Sequence, residues 1–217
     1  MYRKKVPPEL VKHYESAVFS SKFFRRGNQF THTLNVPGAA QPDDLIGITI
    51  YHSFTMINLT AEDLDFDFEC ETSLVPEAPP KDLHQCFELR ANNALQTVGA
   101  GALTNKPGYQ ALVLKHKTPI PAGASRFFEA KFDTVRRMRD AEILMTTWPA
   151  DGVTVTVIFP ASLDVVANSL HLTRVPTGNN SCKWSLASGM VPGQGIFIAW
   201  EPIVRHPEEL KMAVVKS

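Results

Sequence analysis

The segment DLDFDFECET, residues 63–72, alternates acidic and apolar side chains along its whole length. Asp63, Asp65, Asp67, Glu69 and Glu71 share one parity, and Leu64, Phe66, Phe68 and Cys70 share the other. A period of two belongs to a half-buried β-strand, whose successive side chains point to opposite faces. On a helix the same residues would spread charge around the whole circumference.

In a strand, alternate carboxylates stand about 6.6 Å apart. Each neighbouring pair repels by about 0.6 kcal/mol in water and ~2.5 kcal/mol at an effective dielectric of 20. The row therefore demands solvent or cations. A Ca²⁺ ion needs oxygens converging from several directions at about 2.3–2.6 Å, which a looped segment containing glycine supplies and a straight strand splays apart. Asp65, Asp67, Glu69 and Glu71 are expected on a solvated or salt-bridged face. Docking of a cationic partner is the second reading, and a metal site the least favoured.

The same period recurs down the chain. FTHTLNV (30–36), LIGITIYHSFTMINLT (45–60), CFELRA (86–91), YQALVLKHK (109–117) and RFFEAKFDTV (126–135) are strand candidates. So are AEILMTTW (141–148), VTVTVIFP (153–160), SLHLTRV (169–175), CKWSLA (182–187) and GIFIAWEPI (195–203). PADG (149–152) is turn chemistry, so its two flanking strands form a hairpin or are joined by a short bend. Nearly all of the 16 prolines fall between these segments, where they remove no ladder hydrogen bond.

Only the amino-terminal piece is helical in pattern. Leu10, Tyr14, Ala17, Val18 and Ser21 form a stripe behind Pro7 and Pro8. The spacing predicts a helix from about Pro8 to Phe24, with Arg25 and Arg26 complementing its dipole and Gly27 as C-cap. The expected fold is all-β: a single antiparallel β-sandwich, jelly-roll or Ig-like, of about ten strands with one N-terminal α-helix. Residues 1–27 would form the basic segment and helix, and 28–217 the sandwich.

Composition limits the partners. Lys plus Arg (22) equals Asp plus Glu (22), so there is no positive excess for bulk nucleic-acid or anionic-membrane binding. No stretch approaches the roughly 20 apolar residues of a membrane span. MYRKKVPPELVKHYES is not followed by the apolar run of a signal peptide. Cys70, Cys86 and Cys182 lie far apart without a CxxC pair, which fits a reducing compartment and a cytoplasmic protein.

Motifs that carry chemistry are sparse. VRRMRDAE (135–142) crowds Arg136, Arg137 and Arg139, which need an anion: the acidic strand, or an external anion such as phosphate, or a partner. Trp148, Trp184 and Trp200 sit near strand ends as core plugs or as walls of a pocket. The seven histidines show no HxH or HxxxH spacing; His32 and His52, in neighbouring strand candidates, are the first pair to inspect for a strand-built metal site. There is no GxSxG, and Ser188 in LASGMVPGQG has no nucleophile context. His84 and Cys86 would share a strand face, and VGAGALTNKPG (98–108) lacks phosphate-loop spacing. No cofactor is expected.

These features point to a non-catalytic binding or assembly module, a capsid-like structural subunit or a ligand sensor. It would self-associate or dock a protein partner through the arginine cluster and the acidic strand, with a small anionic ligand as a further partner. The alternative is a metal-dependent enzyme built on His32, His52 and a carboxylate.

Overall fold

A computed structural model describes residues 8–36, 44–77, 87–98, 101–107, 109–169, 172–187 and 189–203. His84, Cys86 and Ser188 lie outside the described residues.

The helix, α1, is Pro8–Phe19. It stops short of Phe24 because Phe23 opens a strand, β1 (Phe23–Asn35), and buries its ring in the core. Arg25, Arg26 and Gly27 therefore belong to β1 rather than to a helix end, and the expected boundary at residue 27 falls inside a strand. Gly27 is not a helix C-cap: it adopts a left-handed conformation, at φ 62°, within a β-bulge of β1. On α1, Glu9, Lys12, Glu15 and Ser16 are exposed, and Phe19 is 83% exposed.

The remaining strands are β2 (Leu45–Asn58), β3 (Leu64–Ser73), β4 (Glu88–Ala91), β5 (Ala94–Gln96), β6 (Ala102–Lys106), β7 (Tyr109–Ile120) and β8 (Ser125–Arg137). They continue with β9 (Asp140–Met145), β10 (Val153–Ile158), β11 (Leu163–Asn168), β12 (Thr173–Gly178), β13 (Ser181–Leu186) and β14 (Gly195–Pro202). β5, β6 and β11 lie outside the segments marked by a period of two. The protein is almost entirely β, as expected, but it is not a single antiparallel sandwich. One large sheet has the order β12-β13-β10-β1-β2-β8-β4-β5, and two small ones have the orders β11-β14-β9 and β3-β7-β6.

The large sheet is mixed because β1 and β10 run parallel, from Asn28↔Val153 to Thr33↔Ile158. The PADG turn does not fold 153–160 back onto 141–148. Instead the chain leaves β9 in a small sheet and drops into the other layer beside β1, where the Arg25 amide donates to Pro149 O at 2.8 Å. The flanking strands are joined by a bend, not a hairpin.

Both small sheets cover the same face of the large one. On β2, Ile46, Ile48 and Ile50 pack with Leu163, Val165, Ile196, Ile198 and Trp200 of the β11-β14-β9 sheet. Phe54 and Met56, of the same parity, pack with Phe66, Phe68 and Ile120 of the β3-β7-β6 sheet. Two apolar cores thus lie side by side under one layer.

β3 turns its rings inward, with Phe66 1% and Phe68 3% exposed, and its acids outward. Their counter-ions are lysines of β7 and β6, not the arginine cluster. Lys115 meets Glu69 at 2.9 Å, Lys106 meets Glu71 at 3.1 Å, and Lys117 lies 3.7 Å from Asp65 and 4.0 Å from Asp67. Each such exposed pair contributes about 0–1 kcal/mol, so the ladder fixes solubility and register more than stability. Among the described residues no helix is long and apolar enough to cross a membrane.

Candidate functional site: a polar band beneath the groove between the small sheets

The inner face of the large sheet is apolar under each small sheet and polar between them. A backbone device on β1 creates part of that band. Arg26 pairs with Thr55 and Gln29 with Ser53, so Gly27 and Asn28 together face one residue of β2. The bulge shifts the inward parity by one. Phe23 and Arg25 point inward before it, and Asn28, His32 and Leu34 after it. Gly27 suits the position because a left-handed φ carries no Cβ penalty there, and its amide donates to Asp151 Oδ1 at 3.0 Å.

Above the band lies a groove of about 770 Å³. Its floor includes Arg25, Phe30, Ile50, His52, Phe132 and Arg136 of the large sheet. Its walls are Phe66–Glu71 of β3 and Ala141–Met145 of β9, with Trp148 beside them.

Arg25 is 8% exposed, and its guanidinium lies 4.3 Å above the centroid of Phe54. Its buried Nε has no hydrogen-bond partner, and it makes no ion pair among the described residues. Burial lowers its pKa from 12.5 to about 10. His52 stacks on Phe30, with centroids 3.9 Å apart, and its Nε2 lies 2.8 Å from Asn28 Oδ1. Burial, then the positive charges of Arg25 and His32, hold its pKa well below 6.5, so the ring is neutral and donates to Asn28.

His32, 1% exposed, places Nε2 3.2 Å from Glu142 Oε2, off the hydrogen-bonding line. Burial pushes the Glu142 carboxyl upward, but contact with His32 and the charges of His32 and Arg136 outweigh it and leave the pKa below 4.5. Of the five buried side-chain polar atoms without a well-aligned hydrogen bond among the described residues, four belong to Arg25, His32 and Glu142, and two of these, His32 Nε2 and Glu142 Oε2, face each other at 3.2 Å. Unsatisfied buried polar atoms are costly and rare, so their concentration in one band marks a place built for polar contact.

The arginine cluster does not converge. Alternation along β8 sends Arg136 inward, to 5% exposure, where it donates to Ser73 O at 2.6 Å and Thr72 Oγ1 at 3.0 Å. Arg137 points outward to Glu77 at 2.6 Å, and Arg139 pairs with Glu201 at 3.6 Å. The tryptophans separate too. Trp184 and Trp200 are buried in the core under the β11-β14-β9 sheet, Trp200 donating to Arg137 O at 3.0 Å. Trp148 alone of the three lines the groove, against Phe23 and Phe66.

His32 and His52 do meet in this band, with Glu142 as the carboxylate beside His32. However, His52 is committed to Asn28 and Phe30, and among the described residues no three His, Cys, Asp or Glu side chains converge on a point that could hold a metal. Cys70 also lines the groove; burial, then Glu142, Glu69 and Glu71, push its thiol up to about 12 and keep it protonated. The sequence pattern assigns Arg25 to a helix end, whereas the structure buries it on the inner face of β1.

The band makes folding sensitive to acid. The unfolded chain protonates His52 near pH 6.5 while the folded one does not, so stability should fall as pH drops below that value. The limiting slope for one proton is about 1.4 kcal/mol per pH unit. Glu142 adds a second loss as pH falls through 4.5 toward its lower folded pKa. Urea midpoints between pH 7.5 and 5 should show the decline, and His52→Gln should flatten it. An unchanged slope in the variant would count against a neutral buried ring.

No protein-family model matches the chain, and no curated protein sequence is similar to it. Among solved structures, it resembles a candidate nutrient-binding protein from Legionella pneumophila at TM-score 0.58 and 10% identity, covering 83% of this chain and 67% of that one. It also resembles an M1 zinc metallopeptidase from Deinococcus radiodurans (TM-score 0.39, 12% identity, 86% and 45% covered). A third likeness is to yeast LTA4 hydrolase (TM-score 0.46, 11% identity, 90% and 33% covered). The chain thus spans two thirds of the first protein and under half of the other two. The likeness to the first is one of fold.

Proposed function

We propose that the protein is a non-catalytic binding module that holds an anionic ligand against Arg25 in the groove between the two small sheets. The observation that carries this is a buried guanidinium lining the groove, with its Nε unpartnered and no ion pair among the described residues. Arginine matches the oxygens of carboxylate or phosphate bidentately, and a dry site strengthens the contact. Arg136 adds a second buried cation at the far end. The fold shared with a candidate nutrient-binding protein is in keeping with a binding role. Docking through the acidic face has less support, because Asp65, Asp67, Glu69 and Glu71 already pair with lysines.

Titration calorimetry with phosphate, acetate, citrate and glutamate tests this proposal. At least one should bind with 1:1 stoichiometry, Arg25→Gln should weaken it tenfold or more, and the exposed Arg137→Gln should leave it unchanged. Equal binding by Arg25→Gln, or no binding of any of the four, would overturn the proposal.

A further inference from the structure

The walls of the groove are not strand faces but strand edges. A wall presented by one face of a strand would contribute alternate residues. Here β3 contributes the consecutive run Phe66–Glu71, and β9 the consecutive run Ala141–Met145. Among the described residues both are outermost strands: β3 pairs only with β7, and β9 only with β14. Each therefore presents an unpaired row of backbone N–H and C=O groups, and both rows line the same groove.

Proteins commonly blunt such edges with proline or bulges. Neither run contains a proline, and neither ladder shows a register shift. The two edges also run in opposite directions. At one end Trp148 lies tilted against Phe66, with centroids 6.5 Å apart; at the other, Arg136 bonds Ser73 O and its charge acts on Glu142.

Resting on the reading of the groove as the binding site, we propose that its occupant is an extended peptide bearing a carboxylate. The peptide backbone pairs with the free edges of β3 and β9, and its carboxylate meets Arg25. Strand addition of this kind draws affinity from main-chain hydrogen bonds and specificity from alternate side chains. One added strand would join two three-stranded sheets into a continuous layer over the large sheet. Because β3 and β9 are antiparallel to each other, the guest runs antiparallel to one and parallel to the other.

At a rise of about 3.3 Å per residue, the shared edge accepts roughly five or six residues. The groove volume, about 770 Å³, lies within the range of specific ligand sites. Side chains pointing down meet Phe30, Ile50, Phe132 and Arg25, so the guest should alternate apolar residues with one acidic residue on its inner face.

The test uses six acetylated, amidated hexapeptides of alternating valine and threonine, with one glutamate moved through the six positions. Titration calorimetry should find at least one register that binds, with affinity lost tenfold or more in Arg25→Gln. N-methylation of alternate backbone nitrogens in that peptide, which removes donors and keeps the side chains, should weaken binding at least tenfold. Hydrogen exchange at the backbone amides of 66–71 and 141–145 should slow at least tenfold in the complex. If small anions bind through Arg25 but no peptide does, or the N-methylated peptide binds equally well, the strand-addition proposal fails and the anion site stands. If neither anions nor peptides bind, both fail.

Discussion

Truncation of Phe54 to alanine is expected to destabilise the protein by about 3–5 kcal/mol. Phe54 is 1% exposed at the centre of the core under the β3-β7-β6 sheet. Its ring lies 5.4 Å from that of Phe128, and 6.2 Å from each of Phe66 and Phe68. These rings belong to three different strands in two layers, so they cannot collapse together into the space a methyl group would leave. The lost transfer energy and the cavity therefore add, and Arg25 loses the aromatic face beneath its charge. For a chain of this length the melting temperature should fall by roughly 6–20 °C. Phe19→Ala removes the same side chain from a position 83% exposed and should change stability by no more than about 0.5 kcal/mol. A Phe54→Ala loss under about 1.5 kcal/mol would mean that the ring cluster is not packed as described.

Two of the rings around Phe54 are legible in the sequence. The period of two placed Phe66 and Phe68 inside and the acids of β3 outside, because burial on one face leaves no freedom of register. The lysine ladder opposite those acids was partly legible too: Lys115 and Lys117 alternate in KHK, as the acids do. Which strand lies beside which is set by tertiary pairing, so the sequence offers the arginine cluster as one counterpart of the acids, while the structure turns those arginines elsewhere. Arg136 could have been placed. Phe128, Ala130, Phe132, Thr134 and Arg136 share a parity, and extending β8 by two residues would have turned that guanidinium inward.

Arg25 could not be placed in the same way. Its burial depends on a bulge at Gly27 and on a parallel neighbour, β10, which arrives from more than a hundred residues away. Without the bulge, the parity that buries Arg25 would carry Gly27, Gln29 and Thr31 inward and put His32 and Leu34 in water. One glycine thus allows both an apolar strand end and a polar band on the same face. The candidate site exists because two cores meet along a line, and a sequence records each core but not the line.

Arg25→Met should abolish anion binding and at the same time raise stability at pH 7 by about 1–2 kcal/mol. The depression of the guanidinium pKa to about 10 reflects a few kcal/mol of penalty for holding the charge out of water. Stacking on Phe54 returns about 1–2 kcal/mol of it, and the unpartnered Nε returns none. Methionine fills a similar volume without charge, and exchanging a buried ion for an apolar side chain is often stabilising. The pH dependence has a definite sign. The folded-state pKa, about 10, lies below the unfolded 12.5, so in that window the unfolded chain binds more protons and the wild type gains stability as pH rises. The variant's advantage should be complete below pH 10 and shrink above it, which urea midpoints at pH 7 and pH 11 would show. A side chain that costs stability yet is needed for binding has the signature of a functional group. A variant less stable than the wild type at pH 7 would make Arg25 a prop of the fold and remove the main support for a ligand in the groove.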